Sequence, residues 1–219
     1  MKLYVVISRL LTKMGQRSRR DAKLINQTSR LLQSTAHTEM VILDAGCGTM
    51  SISSKLAKEF GKPILVGVDL QRQRPGADLG GYVIGDAEQM PLRSGSVDVY
   101  LSFSVLEHLA SPVRHVEEVN RVLKPSGLAV LQVPNEKHIL EPHSLIPFYY
   151  VLPDSIKTGL KRMMGYSYLW FNDSVTPEYV SHIFKTNGFT EETKVGVYHF
   201  DFLKLLVTAP SYLFAFRHS

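Results

Sequence analysis

An α/β domain with a doubly wound, mostly parallel sheet of seven strands and helices on both faces is the fold class this sequence predicts. Three observations carry that prediction. From residue 40 onward, short apolar runs alternate with helical stretches, the rhythm of a parallel sheet covered on both sides. The runs are continuously apolar where a half-exposed strand would alternate with polar residues, as strands buried on both faces are. Two helices also announce their starts with a hydroxyl residue followed by proline, at Ser111-Pro112 and Thr176-Pro177.

The elements follow in order. Residues 17–35 have helical character and end in a polar link, so residues 1–38 read as a basic N-terminal arm and 39–219 as the main domain. Met40–Leu43 is the first strand, and Ser51–Phe60 a helix closed by Gly61 with Pro63 just beyond. Ile64–Val68, Tyr82–Ile84 and Val97–Ser102 are strands two to four. A helix from Pro112 to about Leu123 stops at Lys124–Gly127, and Leu128–Val133 is strand five. Residues 134–175 read as an irregular, aromatic and proline-containing insert. A helix from Pro177 ends at Gly188, and Glu192–Tyr198 and Tyr212–Arg217 read as two final strands around a short helix.

Composition excludes several classes. The chain has 219 residues, 44% hydrophobic and 21% charged, which suits one domain with a large core. Cys47 is the sole cysteine, which rules out an intrachain disulfide and a CxxC metal site and fits a reducing cytoplasm. Leu3–Leu11 is shorter than the roughly 20 residues a spanning helix needs, and Asp201, Lys204 and Pro210 break the aromatic stretch near the C-terminus. A soluble, cytoplasmic protein is expected. Residues 1–39 hold eight basic groups against Asp21 and Glu39, while the remainder is nearly neutral. That arm, residues 1–34 in particular, is expected either to be a solvated helix face or to attract an anionic membrane or RNA.

In a sheet of this order ligands bind at the carboxyl ends of the strands. The turn Asp44–Thr49 leaves the first strand there and carries Gly46 and Gly48. A dinucleotide site would want a third glycine where Ser51 stands. Asp44 inside the turn would repel phosphates and favour a cation. S-Adenosylmethionine, with an ammonium, a sulfonium and no phosphate, fits such a turn. Asp69, ending the second strand, is placed to pair with two ribose hydroxyls. Asp86 could accept from an adenine amino group while Ala87 offers its backbone N–H.

Taken in order, Val41–Thr49, Val66–Asp69, Gly85–Leu92, Val97–Leu109 and Arg121–Gly127 resemble the sequence blocks of class I S-adenosylmethionine-dependent methyltransferases, which have a Rossmann-like fold. The resemblance covers roughly residues 40–135 and departs from the family at Met50, where a third glycine is frequent. It implies that Asp44 and the Gly46 backbone face the methionine part, Asp69 the ribose, and Asp86 and Ala87 the adenine. It further implies that Leu70 and Phe103 pack on the ring and that Ser102 closes the methionine side. Asp98 fits the pattern as a structural residue.

Methyl transfer needs alignment and exclusion of water, and a general base only when the acceptor holds its proton tightly. His108, just beyond strand four, and His143, in the insert, are the candidate bases. His138, Glu141 and His143 have no helix or strand to gather them, and no metal site is expected. The insert carries Tyr149, Tyr150, Tyr166, Tyr168 and Trp170, the composition of a cover over a small lipophilic or aromatic acceptor. Two alternatives stand beside that reading. One is RNA methylation guided by the basic arm; the other is a cofactor-binding regulator or partner subunit without turnover.

Overall fold

The computed structural model describes residues 16–35, 37, 39–61, 63–71, 81–135, 148, 151–163, 174–197, 209 and 211–219. Seven strands form one sheet: β1 (Val41–Ala45), β2 (Ile64–Asp69), β3 (Gly81–Ile84), β4 (Val97–Phe103), β5 (Leu123–Pro134), β6 (Phe189–Val197) and β7 (Ser211–His218). Their order is β3-β2-β1-β4-β5-β7-β6. The first five are parallel, and β7 runs antiparallel between β5 and β6. The chain therefore winds outward from β1 to β3, then returns to lay β4 on the other side of β1. That reversal opens a crevice at the carboxyl end of β1, where this class of sheet binds its ligands.

Strand alternation sorts the core into two layers. Ile42, Leu101 and Val130 face one side, with Leu24, Leu32 and Leu56 of α1 (Gln16–Leu32) and α2 (Ser53–Glu59). Their strand neighbours Leu43, Tyr100 and Leu131 face the other. There they meet Val116 and Val119 of α3 (Pro112–Val122) and Val180 and Phe184 of α5 (Pro177–Thr186). Phe184 stacks on Phe216 of β7 at 4.2 Å between centroids, tying the hairpin to this layer. The predicted caps operate. Ser111 accepts from the Arg114 N–H and Thr176 from the Tyr179 N–H. Gly61 and Gly188, both at φ +84°, follow the ends of α2 and α5.

Three expectations change. First, α1 is no detachable arm: Leu24, Thr28 and Leu32, at i, i+4 and i+8, are fully buried. Leu24 and Leu32 share a cluster with Met40 and Ile42, so a boundary at residue 38 cuts through one core. Second, residues 134–175 include a ten-residue helix, α4 (Asp154–Met163). Its apolar positions Ile156, Leu160 and Met163 have helical spacing, which Gly159 and the flanking prolines disguised. Third, β5 begins at Leu123, because Leu123 already pairs with Val97 before the turn at Ser126. Among the described residues, no helix is long and apolar enough to cross a membrane.

Candidate functional site

The crevice is built from the ends of β1 to β5. The β1 turn is held by two backbone bonds: the Gly46 and Cys47 N–H groups donate to the Val68 carbonyl at 2.8 and 3.2 Å. Gly46 (φ +65°) is exposed, and a Cβ there would lie 2.4 Å from Val105 Cγ2. Gly48 (φ +49°) has no atom within 4 Å of where a Cβ would stand, so its surface is open. Met50 also adopts positive φ, +57°, in the place where a glycine would be unstrained. Its burial compensates, since its sulfur and Cys47 fill the space over Gly67. The Cys47 thiol is pushed up to about 12, by burial first and then by Asp44 and Asp69. A thiol held protonated is no nucleophile.

Two carboxylates shape the floor and wall. Asp44 is buried and accepts a hydrogen bond from Ser53 Oγ at 2.5 Å. Burial raises its pKa to about 7, against the lowering by Ser53 and with a smaller push from the Asp69 charge. Asp69 Oδ2 accepts from the Gly48 N–H at 2.9 Å, and Oδ1 from the Gln71 N–H at 3.0 Å. Each oxygen keeps a second lone pair for a ligand hydroxyl. The β3 loop supplies the far end. Asp86 Oδ1 closes a local turn on the Glu88 N–H at 2.8 Å, leaving Oδ2 for a ligand, and Asp86 is exposed. Leu70, just beyond β2, and Ile84, which ends β3 opposite Asp69, are both exposed.

This loop is fixed from below by α3. The Met90 N–H donates to Glu118 Oε2 at 2.6 Å, and Arg121 donates to the Met90 and Leu92 carbonyls at 2.8 and 2.7 Å. Deeper still, Tyr100 OH lies 3.0 Å from His115 Nε2, and His115 Nδ1 lies 3.0 Å from the Ala87 carbonyl. A carbonyl can only accept, so Nδ1 carries the proton and the tyrosine hydroxyl donates to Nε2. Burial drives His115 down to about 4, which keeps it neutral and holds that arrangement.

The fold, the glycine turn and the ordered carboxylates fit one group of proteins. Residues 43–131, which contain the end of β1, β2 to β4, α2, α3 and most of β5, match the family described as Methyltransferase domain. The match and the fold together support a class I S-adenosylmethionine-dependent methyltransferase. It is 28% identical over 158 residues to a malonyl-[acyl-carrier protein] O-methyltransferase of Methylococcus capsulatus, across 68% of this chain and 52% of that protein. A methyltransferase of Mesorhizobium loti superposes with a TM-score of 0.67 at 16% identity, over 88% of this chain and 96% of that one. A phosphoethanolamine N-methyltransferase of Haemonchus contortus, solved with S-adenosylmethionine, superposes with a TM-score of 0.61 at 17% identity, over 88% of this chain and 52% of its own. At those identities the superpositions speak for the fold. The chain spans about half the length of the first curated relatives it matches, 52% and 50%.

The donor set fits the family's cofactor. An open glycine turn, a buried acid with a second acid near it, and an exposed apolar pair suit an ammonium, a sulfonium, a diol and a flat ring. The remaining predicted residues are distributed unevenly. Ala87 is buried beneath the β3 loop, its carbonyl engaged by His115. Phe103, ending β4, is half-buried against the α1–α2 layer, and β1 lies between it and Leu70. Two strand spacings, about 10 Å, separate the two strand ends that carry Leu70 and Phe103. Ser102 is almost fully buried below the rim, because it shares the inward face of β4 with Tyr100. Ser104 takes the rim position instead, at φ +57°, donating to Gln132 Oε1 at 2.8 Å and accepting from Arg20 Nη2 at 3.3 Å. His108 sits in a 3-10 turn (Leu106–His108), 4.0 Å from buried Glu107. His143 lies outside the described residues, as do His138 and Glu141. Asp98 is at the opposite end of the sheet, bound by Lys124 and the Val41 N–H, each at 2.8 Å, as a structural residue would be.

Sequence reasoning missed Ile84, Ser104, Arg20 and the Tyr100–His115 pair. A polar residue inside the apolar stripe of α3 was the available signal for His115. Nothing in the sequence signals the other three.

Proposed function

We propose that the protein transfers a methyl group from S-adenosylmethionine to a small lipophilic or aromatic acceptor. The observation that supports it best is the pairing of an open glycine turn with two acids, Asp44 and Asp69, in a crevice without a phosphate cradle. The cofactor supplies a methyl group already activated on sulfur. Asp44 would then face its ammonium, the Gly46–Gly48 turn its methionine portion, Asp69 its ribose, and Asp86 with Leu70 and Ile84 its adenine. His115 and Arg121 keep the loop below the adenine in place. On the acceptor side, for a hydroxyl acceptor, His108 is the residue assigned to take the proton.

Binding tests the first half. S-Adenosylmethionine and its demethylated product should bind at micromolar concentration, and NAD should not; the reverse preference would overturn the assignment. An acceptor panel with mass detection of the methylated product tests the second half. Turnover of phenols or other lipophilic acceptors is expected, and turnover confined to acyl carboxylates would replace this reading by another. That second reading is favoured by Arg20 at the rim and by the malonyl group in the name of the Methylococcus relative.

Asp44 makes binding pH-dependent. In the unliganded chain burial holds its carboxyl at about 7. A pKa raised on folding gives stability that is complete below the ordinary carboxylate range and fades as pH rises through 7. An ammonium beside the carboxyl draws the proton off, so binding releases protons near neutrality. Affinity should therefore rise about tenfold between pH 6 and pH 8. Calorimetry in buffers of different ionisation enthalpy measures both effects. Flat affinity with no proton release would remove Asp44 from the site.

A further inference from the structure

The methionine portion of S-adenosylmethionine carries a carboxylate beside its ammonium. The groups assigned to the cofactor so far are acids, glycines and apolar side chains. Buried Asp44 answers the ammonium and repels the carboxylate. A zwitterion held in one orientation needs a partner for each charge. Helix α1 brings a cation to this rim. Leu24, Thr28 and Leu32 are fully buried, which fixes α1 on the sheet, and Arg20 stands on the same stripe one turn before Leu24. Arg20 is half-buried and donates from Nη2 to Ser104 Oγ at 3.3 Å. Ser104 is itself held twice by Gln132: its Oγ donates to Oε1 at 2.8 Å, and its N–H to the backbone carbonyl at 3.0 Å. Gln132 is buried, so the guanidinium is tied to a fixed point. That point adjoins the glycine turn. β1 and β4 are neighbours, with Asp44 opposite Leu101. Val105, the residue after Ser104, is the side chain that a Cβ on Gly46 would strike.

We propose that Arg20 is a cofactor-binding residue, whose guanidinium, steadied by Ser104 and Gln132, takes the carboxylate of the methionine portion. A guanidinium presents its donors in a planar fork that matches a carboxylate with two parallel bonds. Ser104 is then a positioning residue, and α1 belongs to the cofactor site as well as to the core. The assignment rests on the placement of the methionine portion at the Gly46–Gly48 turn and adds the residue that answers its negative charge. An acyl carboxylate acceptor would ask for the same guanidinium, so the test uses ligands alone, without any acceptor.

The experiment is calorimetry of the full chain with two ligands, S-adenosylhomocysteine and S-adenosylthiopropylamine, which is the same molecule without its carboxylate. The variants are Arg20→Met, which keeps the apolar stem and removes the charge, and Arg20→Lys, which keeps the charge and loses the fork. Arg20→Met should bind S-adenosylhomocysteine about tenfold or more weakly than wild type. Its affinity for the amine should not fall, because that ligand has nothing for Arg20 to hold. Arg20→Lys should lie between wild type and Arg20→Met. Ser104→Ala should show a smaller loss confined to the same ligand. The ratio of the two affinities is the deciding quantity, since a variant that is merely less stable loses both ligands alike. Parallel loss of both in Arg20→Met therefore overturns the proposal. So does affinity for S-adenosylhomocysteine within about threefold of wild type, which returns Arg20 to the acceptor side. Gly46→Ala tests the underlying placement separately. Weakening of both ligands in that variant upholds the turn as the methionine site whatever Arg20 does, and no weakening removes the placement itself.

Discussion

Asp69→Ala should weaken S-adenosylmethionine binding by about 3 kcal/mol, roughly a hundredfold. Two losses combine. The ligand diol loses a charged acceptor, worth about 1.5–3 kcal/mol. The glycine turn also loses its clamp, because the Gly48 N–H donates to Asp69 Oδ2 at 2.9 Å and the Gln71 N–H to Oδ1 at 3.0 Å. Asp69 is half-exposed, so its removal leaves no buried charge unpaired and the fold should survive. Asp69→Asn separates the two losses. It keeps one acceptor oxygen and the side-chain shape but puts a donor where one N–H now points. Its affinity should fall between wild type and alanine. Calorimetry with S-adenosylhomocysteine is the measurement. Affinity within threefold of wild type in the alanine variant, roughly 0.6 kcal/mol, would take Asp69 out of the site.

What the sequence made legible follows from how local each signal is. β1, β2 and β4 were readable because continuous apolar runs end in the glycine and aspartate of their turns, and α3 and α5 because Ser111-Pro112 and Thr176-Pro177 cap them. The two carboxylates were readable because strand ends place them: Asp44 and Asp69 occupy neighbouring parallel strands, and their positions follow from register. What was hidden depends on contacts far apart in sequence. Arg20 reaches Ser104 across 84 residues, and His115 reaches Ala87 across 28. No periodicity encodes either contact. α1 was read as an arm because its charge is conspicuous, while its buried positions Leu24, Thr28 and Leu32 make a stripe only one residue wide. Ser102 and Phe103 show a different limit of sequence reading. A strand end names neighbours but does not say which of them tops the rim, and here the backbone of Ser104, at φ +57°, turns the chain so that Ser104 does.

Gly46 gives the sharpest steric test of the same turn. Gly46→Ala meets two obstacles at once. Its backbone sits at φ +65°, and the new methyl would stand 2.4 Å from Val105 Cγ2. The left-handed conformation costs about 1–2 kcal/mol for an L residue, and overlap of this kind typically adds about 1–3 kcal/mol. The turn can relieve the overlap only by moving away from Val105, which breaks the bonds from Gly46 and Cys47 to the Val68 carbonyl. Since those bonds set the cofactor cradle, S-adenosylmethionine affinity should fall by about 3 kcal/mol, while the larger part of the core, which lies between the sheet and its helices, keeps the chain folded. Gly48→Ala provides the contrast: with nothing within 4 Å of the new carbon, the unliganded turn bears only the conformational cost. Pairing Gly46→Ala with Val105→Ala removes the overlap and leaves the backbone cost alone. Affinity in that double variant should recover to within about tenfold of wild type. A single Gly46→Ala variant that binds as wild type, or a double variant with no recovery, would show that contact with Val105 does not shape the cradle.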